Sequence, residues 1–397
     1  MSKLENYKGT KDYYPEDMLL RNYIFSIWDR VCKSFGYSEY NASILEYFEV
    51  YSDKTSIEIL KEQTYNFTDR GGRDVILRPE MTPTVARMIA KKSQTLAFPL
   101  RWYSIANCFR YERPQKGRKR EFWQLNVDTF GFADDHLEIE IIELVNQLMK
   151  AFGATTKQYT ISINNRGLIN YLLSKLFNVN PEDRDKLMNI IDKKKKTEEH
   201  KFKKLLAEII DVNQIDILNE LLSINKISNL EVFFAKHNLS IDNSSLISLK
   251  GLIDKTDKLN CKLDLGLMRG FGYYTGNVFE VFDNNSSNNR SMFGGGRYDN
   301  LLTQYNSSRQ INSFGFGMGD EVLSIFLDEN GLLPDLNDSI DVYVAISDPL
   351  NYDIANRKVN DLRNKSSKNV VFDCFEQSKK KAYLRSQKLN SKEFIYI

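Results

Sequence analysis

Apolar residues recur at helical spacing in two well-defined stretches. Leu20, Ile24, Ile27, Val31 and Phe35 fall on one face, which predicts a helix over residues 16–35 that stops at Gly36. Leu137, Ile141, Leu144, Val145, Leu148 and Phe152 repeat the pattern over residues 136–152. There Asp134 or Asp135 can cap the start, and Gly153 can end the helix. Between these stretches the period changes: "DVILRPE" and "LRWYSIANCFRYE" read as strands on either side of a helical "TPTVARMIAKK". Over residues 165–255, Leu- and Ile-rich helical runs alternate with "DKKKKTEEHKFKK", which reads as a mostly helical insertion. Strand chemistry returns with "YYTGNVFEVF" and continues past "GGGRYD". From Asp341 onward, "DVYVAI", "NYDIANRKVNDLRN", "NVVFD", "SKKKAYLRSQKL" and "FIYI" alternate as β-α-β-α-β. The expected organisation is a large domain over 1–330, a linker over 331–340 and a small α/β domain over 341–397, whose last strand has nothing after it to cover an edge.

The segment "FRYERPQKGRKREFWQLNVDTFG" (109–131) carries six cations and breaks at Pro114 and Gly117. That predicts strands of roughly 102–112 and 121–130 around a basic loop. Alternation puts Trp123, Leu125 and Val127 on one face and Gln124, Asn126 and Asp128 on the other, and it puts Arg110 and Glu112 together. Phe122 and Phe130 bound the polar set, which fits a sheet flooring a pocket for a ligand with both phosphate and amine. A solvent-exposed hairpin with a basic tip fits the same residues. So does a nucleic-acid-binding hairpin without catalysis. The segment alone does not separate the three.

Composition narrows the classes. The 397 residues leave room for two or three domains. With 55 basic against 53 acidic side chains the net charge is +2, which excludes a uniformly cationic nucleic-acid coat but not local patches for an anionic partner. No apolar run approaches the ~20 residues that cross a bilayer, and "MSKLENYKGTKDYYPED" lacks the layout of a secretion signal. Cys32, Cys108, Cys261 and Cys374 form no CxxC pair and are accompanied by only three histidines. Reduced thiols, a cytoplasmic location and no metal site are the expectation.

"ERPQKGRKREFWQ" resembles motif 2 of the class II aminoacyl-tRNA synthetases, in the form found in the histidyl-tRNA synthetase family. "YKGTKDYYPED" is similar to that family's N-terminal opening, and "FTDRGGRDVILRPEMTPTVAR" (67–87) to the strand and turn that receive the amino acid. "LMRGFGYYTGNVFEVF" (267–282) resembles its second histidine-specific motif, "GGGRYDNL" follows, and "FGFGMGDEVL" (314–323) stands in the place of motif 3. The resemblance implies an α/β protein of the α+β kind. Its catalytic domain would be an antiparallel sheet flanked by helices, with the insertion inside it and a C-terminal α/β anticodon-binding-like domain. It implies activation of L-histidine by ATP, with Mg²⁺ arriving on the ATP, then transfer to tRNA(His) by a homodimer.

The same resemblance distributes roles. Arg110 and Arg269 would be the catalytic cations at the α-phosphate, a task suited to a planar fork that stays charged. Arg110, Glu112 and Arg118 would contact the nucleotide, with Phe122 stacked on adenine. Glu80, Met81 and Thr82 would receive the histidine, its α-ammonium held with help from Gln124. Asp128 and Tyr274 would take the two imidazole nitrogens, with Tyr273 beside them. Lys193–Lys196 would lie against the tRNA acceptor arm or simply in solvent.

Several positions depart from the family. Val322 stands where motif 3 has an arginine for the γ-phosphate, which makes Arg297 the candidate substitute. Ser43 replaces the motif 1 proline, Asp128 a glutamate, Gly272 an aspartate and Trp123 a smaller or polar residue. The C-terminal domain is short of the family's last strand and helix. A second reading is therefore a catalytically silent relative, the synthetase-like regulatory subunit of ATP phosphoribosyltransferase. Arg269, Tyr273, Tyr274 and the intact basic loop favour the enzyme.

Overall fold

A computed structural model of the chain describes residues 4–52, 63–132, 136–194, 197–268, 273–285, 291–305, 310–336 and 340–397. The chain divides into two units. One runs to Asp12 and resumes over Ile24–Leu333; the other joins Tyr13–Tyr23 to Pro334–Ile397.

The elements begin with α1 (Pro15–Ser34), β1 (Ser38–Glu39), β2 (Leu45–Tyr47), the short α2 (Glu49–Ser52), β3 (Tyr65–Thr68) and β4 (Asp74–Leu77). Next come α3 (Thr82–Lys92), β5 (Leu100–Phe109), β6 (Glu121–Phe130), α4 (His136–Ala151) and β7 (Tyr159–Asn165). The helical insertion holds α5 (Arg166–Phe177), α6 (Pro181–Asp192), α7 (Glu199–Leu206), α8 (Val212–Ser223), α9 (Ile227–Lys236) and α10 (Ser244–Thr256). The larger unit closes with β8 (Cys261–Leu263), β9 (Asn277–Asp283), β10 (Ser291–Arg297), β11 (Ser313–Gly319) and α11 (Asp320–Glu329).

Eight strands form one sheet in the order β1-β5-β6-β11-β10-β9-β7-β8. All neighbours are antiparallel except β1 with β5 and β7 with β8. The helices cover it through the faces that periodicity marked. Ile24, Ile27 and Val31 of α1 are buried, as are Leu137, Ile141, Leu144, Val145 and Leu148 of α4. Gly36 and Gly153 follow these helices with φ of +78° and +85°, the left-handed conformation that suits a helix stop. Asp134 and Asp135, expected as caps, lie outside the described residues. In the insertion, Asn165, Asn180, Asp211 and Asn243 each accept a backbone N–H of the first turn that follows.

β2, β4 and β3 form a separate antiparallel sheet. Its register aligns Leu45, Leu77 and Tyr65 in one cross-strand row and Tyr47, Val75 and Phe67 in the next, so one face is wholly apolar. Leu45, Tyr47 and Phe67 are 44%, 51% and 51% exposed.

The smaller unit contains β12 (Val342–Ile346), α12 (Tyr352–Ser366), β13 (Val370–Glu376), α13 (Lys379–Lys388) and β14 (Glu393–Tyr396). Its three strands are parallel in the order β13-β12-β14. Val342, Val344 and Ile346 pack with Ala355 and Val359 of α12, while Tyr343 and Ala345 pack with Ala382 of α13. The central strand is thus covered on both faces, as a parallel strand requires.

The centre of the main sheet depends on the absence of side chains. A Cβ on Gly295 of β10 would lie 2.1 Å from the Gly315 carbonyl oxygen and 2.7 Å from the Phe316 Cα. Both are backbone of the paired strand and cannot move aside. Gly295→Ala is expected to cost more than about 2 kcal/mol, read as the shift in a urea unfolding midpoint; a change within error would mean that the β10–β11 spacing is looser than described.

Candidate active site

β5 and β6 pair in unbroken register from Leu100 opposite Phe130 to Phe109 opposite Glu121. On β6, Leu125 and Val127 are buried and Trp123 meets Phe25 of α1 at 5.3 Å between ring centroids. Gln124, Asn126 and Asp128 take the other face. That alternation was legible, but the polar face does not meet water: Asn126 is 2% and Asp128 0% exposed.

β11 makes the room they occupy. It sets Gly315 opposite Asp128 and Gly317 opposite Asn126. A Cβ on Gly315 would lie 2.5 Å from Asp128 Oδ1, and one on Gly317 would lie 1.6 Å from Gln124 Nε2. The two polar side chains lie where β11 has none.

Asp128 is held on one oxygen. Tyr298, just past β10, donates its hydroxyl to Oδ1 at 2.5 Å, and Thr82 Oγ1 approaches the same oxygen at 3.5 Å. Oδ2 has no partner among the described residues. Burial pushes the carboxyl up to about 7, against the opposing pull of the Tyr298, Thr82 and Tyr40 hydroxyls.

A second carboxylate lies nearby. Glu80, 2% exposed, accepts from the Tyr273 hydroxyl at 3.0 Å. Its backbone carbonyl accepts from Tyr51 at 2.9 Å, which anchors the entry to α3. Met81 is fully buried at the N-cap of that helix, ahead of Pro83, so Glu80, Met81 and Thr82 are placed by one helix start. The rings of Tyr273, Tyr274 and Tyr298 close the group, with centroids 5.0, 5.7 and 6.4 Å apart. Tyr298 was not singled out from the sequence, although it stands inside "GGGRYD".

The basic segment differs from the expectation. β5 ends at Phe109, not 112: the Arg110 N–H still reaches the Arg120 carbonyl in register at 2.9 Å, but the Arg120 N–H goes to the Gly9 carbonyl at 2.8 Å and the Arg110 carbonyl accepts from the Glu112 N–H at 2.8 Å. Arg110 and Glu112 therefore do not share a strand face. Arg110 Nε donates to the Pro79 carbonyl at 3.0 Å, and its guanidinium lies 5.3 Å from the Phe122 ring centre, next to the Glu80 turn. Glu112 and Arg118 pair with each other at 2.8 Å. Lys116 and Lys119 pair with Glu329 and Glu321 of α11. A Cβ on Gly117 would lie 3.2 Å from Val322 Cγ2, so the loop rests where the arginine was expected.

Arg297 does not substitute for that arginine. Gly296 faces Tyr274, within 3.0 Å of a Cβ there, and alternation turns Arg297 to the opposite side. It pairs at 2.6 Å with the fully buried Glu138 of α4, which also accepts from Asn277. Arg269 and Gly272 lie outside the described residues, as do Lys195 and Lys196. Among the described residues no group of three or more His, Cys, Asp or Glu could hold a metal ion. A cleft of about 410 Å³ lined by Tyr47, Arg87, Lys91 and Tyr305 lies elsewhere on the unit; it is shallow and gathers none of the groups above.

Residues 9–323 match the family model described as Histidyl-tRNA synthetase. The histidine–tRNA ligase of Leptospira biflexa is 41% identical over 354 residues, 87% of this chain and 78% of the relative. Two solved structures share the fold. The histidyl-tRNA synthetase of Nostoc sp. PCC 7120 superposes with a TM-score of 0.82 at 21% identity, covering 98% of this chain and 90% of the other. An ATP phosphoribosyltransferase regulatory subunit/histidyl-tRNA synthetase from Bacillus halodurans C superposes with a TM-score of 0.80 at 23% identity, covering 100% and 98%.

In the ligand-free protein Asp128 keeps its proton up to about pH 7, whereas an unfolded aspartate loses it near 4. Between those values the native chain binds one more proton than the unfolded chain. The stability this provides is complete below about pH 4 and lost as pH rises through about 7. Asp128→Asn has no such dependence, so its Tm relative to the parent is expected to climb from pH 5 to pH 8. A flat difference would mean the carboxylate is already ionised at pH 5.

Proposed function

The chain belongs to the histidyl-tRNA synthetase family, and from that premise we propose that it is a histidine–tRNA ligase, joining L-histidine to ATP as histidyl-adenylate and passing the histidyl group to the 3′ end of tRNA(His). Relatives bearing that name at 41% identity favour this over the regulatory-subunit reading. The observation that carries it is the pair of buried carboxylates, Glu80 ahead of α3 and Asp128 in the room left by the β11 glycines, beside a guanidinium laid over an aromatic ring.

In this reading the nucleophile is the substrate's own carboxylate. Its oxygen bonds to the α-phosphorus while the bond from that phosphorus to the bridging oxygen breaks, and pyrophosphate leaves with the electron pair. Negative charge gathers on the α-phosphate oxygens. Arg110 supplies positive charge there, and Arg269 is assigned the same task by its motif. Glu80, Thr82 and Gln124 surround the α-ammonium, with Met81 fixing the turn. Asp128 Oδ2 and Tyr274 face the imidazole nitrogens, with Tyr273 bracing Glu80. A pocket that bonds both nitrogens rejects isosteres lacking them by about 10⁴ or more, because its own polar groups would be left unpaired. Phe122 stacks on adenine, and the Glu112–Arg118 pair turns to the nucleotide when it binds. Mg²⁺ enters on the ATP phosphates and screens their charge; among the described residues no cluster of carboxylates offers it a cage.

The enzyme works in the cytoplasm as a homodimer, and the smaller unit meets the anticodon arm. No helix among the described residues is long and apolar enough to cross a membrane. The apolar face of Leu45, Tyr47 and Phe67 is the surface offered to the second copy. Tyr47→Glu with Phe67→Glu is expected to lower the sedimentation mass from dimer to monomer at micromolar concentration; a parent that is itself monomeric there removes the homodimer from the reading.

Purified protein is expected to catalyse histidine-dependent ATP–pyrophosphate exchange. Arg110→Ala should lower kcat about a thousandfold while changing the Kd for histidine only a few-fold. Histidine binding without exchange in the parent would move the chain to the regulatory reading, and a loss in affinity alone would take Arg110 out of the reaction.

A further inference from the structure

Four buried polar atoms without a partner among the described residues gather beside the amino-acid pocket: Tyr40 Oη, Ser104 Oγ, Asn126 Oδ1 and Asp128 Oδ2. Topology brings them together. Ser104 and Asn126 are opposite each other in the β5–β6 ladder. β1 pairs Ser38 with Trp102 and Glu39 with Tyr103, and the Tyr40 N–H continues that pairing by donating to the Tyr103 carbonyl at 2.8 Å. Tyr40 therefore extends the Ser104–Asn126 row by one strand. Asp128 lies two residues beyond Asn126 on the same face. The Tyr40 ring rests 5.8 Å from Trp102, the residue opposite Asp128. Its hydroxyl reaches toward both Ser104 and Asp128 yet completes a bond with neither.

The donors and acceptors in this cluster balance. With Asp128 ionised, as it must be to accept a ring N–H, two hydroxyls can donate, whereas the amide oxygen and the carboxylate oxygen can only accept. One water molecule, receiving from Tyr40 and Ser104 and donating to Asn126 Oδ1 and Asp128 Oδ2, satisfies all four. Four bonds is the upper end of what buried waters make.

We propose that a single ordered water is bound here, and that Tyr40, Ser104 and Asn126 act through it as positioning residues for Asp128. The proposal rests on the assignment of Asp128 to the imidazole ring and deepens it. The acceptor sites of Oδ1 are taken by Tyr298 and Thr82. Of the two on Oδ2, the water fills one and leaves the other for a ring N–H. The carboxylate is then held at both oxygens before the substrate arrives, so the histidine ring meets an acceptor that needs no reorientation.

Other groups face this carboxyl: Tyr298 after β10, Thr82 on α3 and Tyr274 ahead of β9. Arg78 after β4 and Cys108 on β5 act on Tyr40, and Glu80 acts on Tyr274. None of them belongs to the water cluster, and the variants below leave them unchanged.

Two experiments test the proposal. A crystal structure of the ligand-free full chain at about pH 8, where Asp128 is ionised, should show a water peak about 2.7–3.2 Å from all four atoms; protein atoms closing the gap without one would overturn the proposal. Tyr40→Phe and Ser104→Ala each delete one donor to the water. Each is expected to raise KM for histidine roughly tenfold, leave kcat and KM for ATP within about twofold, and move the pH profile of kcat/KM for histidine upward. Ser104→Thr keeps the hydroxyl and should stay near the parent. Unchanged histidine kinetics in both deletions, or equal losses for histidine and ATP, would overturn the positioning role. A parent without histidine-dependent exchange would defeat the functional reading instead, and the crystal would still decide the water.

Discussion

Keeping two carboxylates buried against one sheet, Asp128 on it and Glu80 at the start of α3, is the constraint around which the larger unit is arranged. An ionised carboxyl withdrawn from water is costly unless hydrogen bonds replace its hydration. Here the replacements come from far along the chain. Tyr273 bonds Glu80 and Tyr298 bonds Asp128, tying the segments flanking β9 and β10 to α3 and β6. The hydrogen bonds that make burial tolerable therefore also set the distance between the two acids. One acid is still short of partners, and a cationic or N–H-bearing ligand supplies what the protein leaves open.

Much of this was legible locally. The bounds of α3 agree with the sequence reading because Pro83 sits at its first turn and Lys91 and Lys92 at its last, the charge order the helix dipole favours. The two faces of β6 follow from a period of two. What was not legible depends on partners distant in sequence. β5 stops early because the Arg120 N–H bonds to the Gly9 carbonyl and does not return to Arg110, which no strand pattern records. The polar face of β6 is dry because β11 and α3 cover it. Arg297 drew attention as a cation near motif 3, but alternation along β10 sends it to Glu138 and leaves its neighbour Tyr298 for Asp128. β2 and β3 span three and four residues, too few for periodicity to show.

Asparagine has a visible use in the insertion, where it caps three of the helices and aspartate a fourth. The place of Val322 is similarly local. An arginine there would meet the basic loop, whereas valine lets Gly117 lie close and leaves Lys116 and Lys119 to dock on α11 through glutamates. The departure from the family is accompanied by a closed contact and not by a gap.

β10 carries three consecutive glycines, Gly294–Gly296, in the middle of its seven residues. The centre of such a strand has no side chains with which to choose a register, and its ladder to β9 already slips between Ser291 and Phe293. Its alignment has to be copied from β9 and β11 on either side. During folding it can lock only after those two strands are in place, which makes the centre of the sheet a late event and leaves nucleation to the side-chain-rich β5–β6 hairpin.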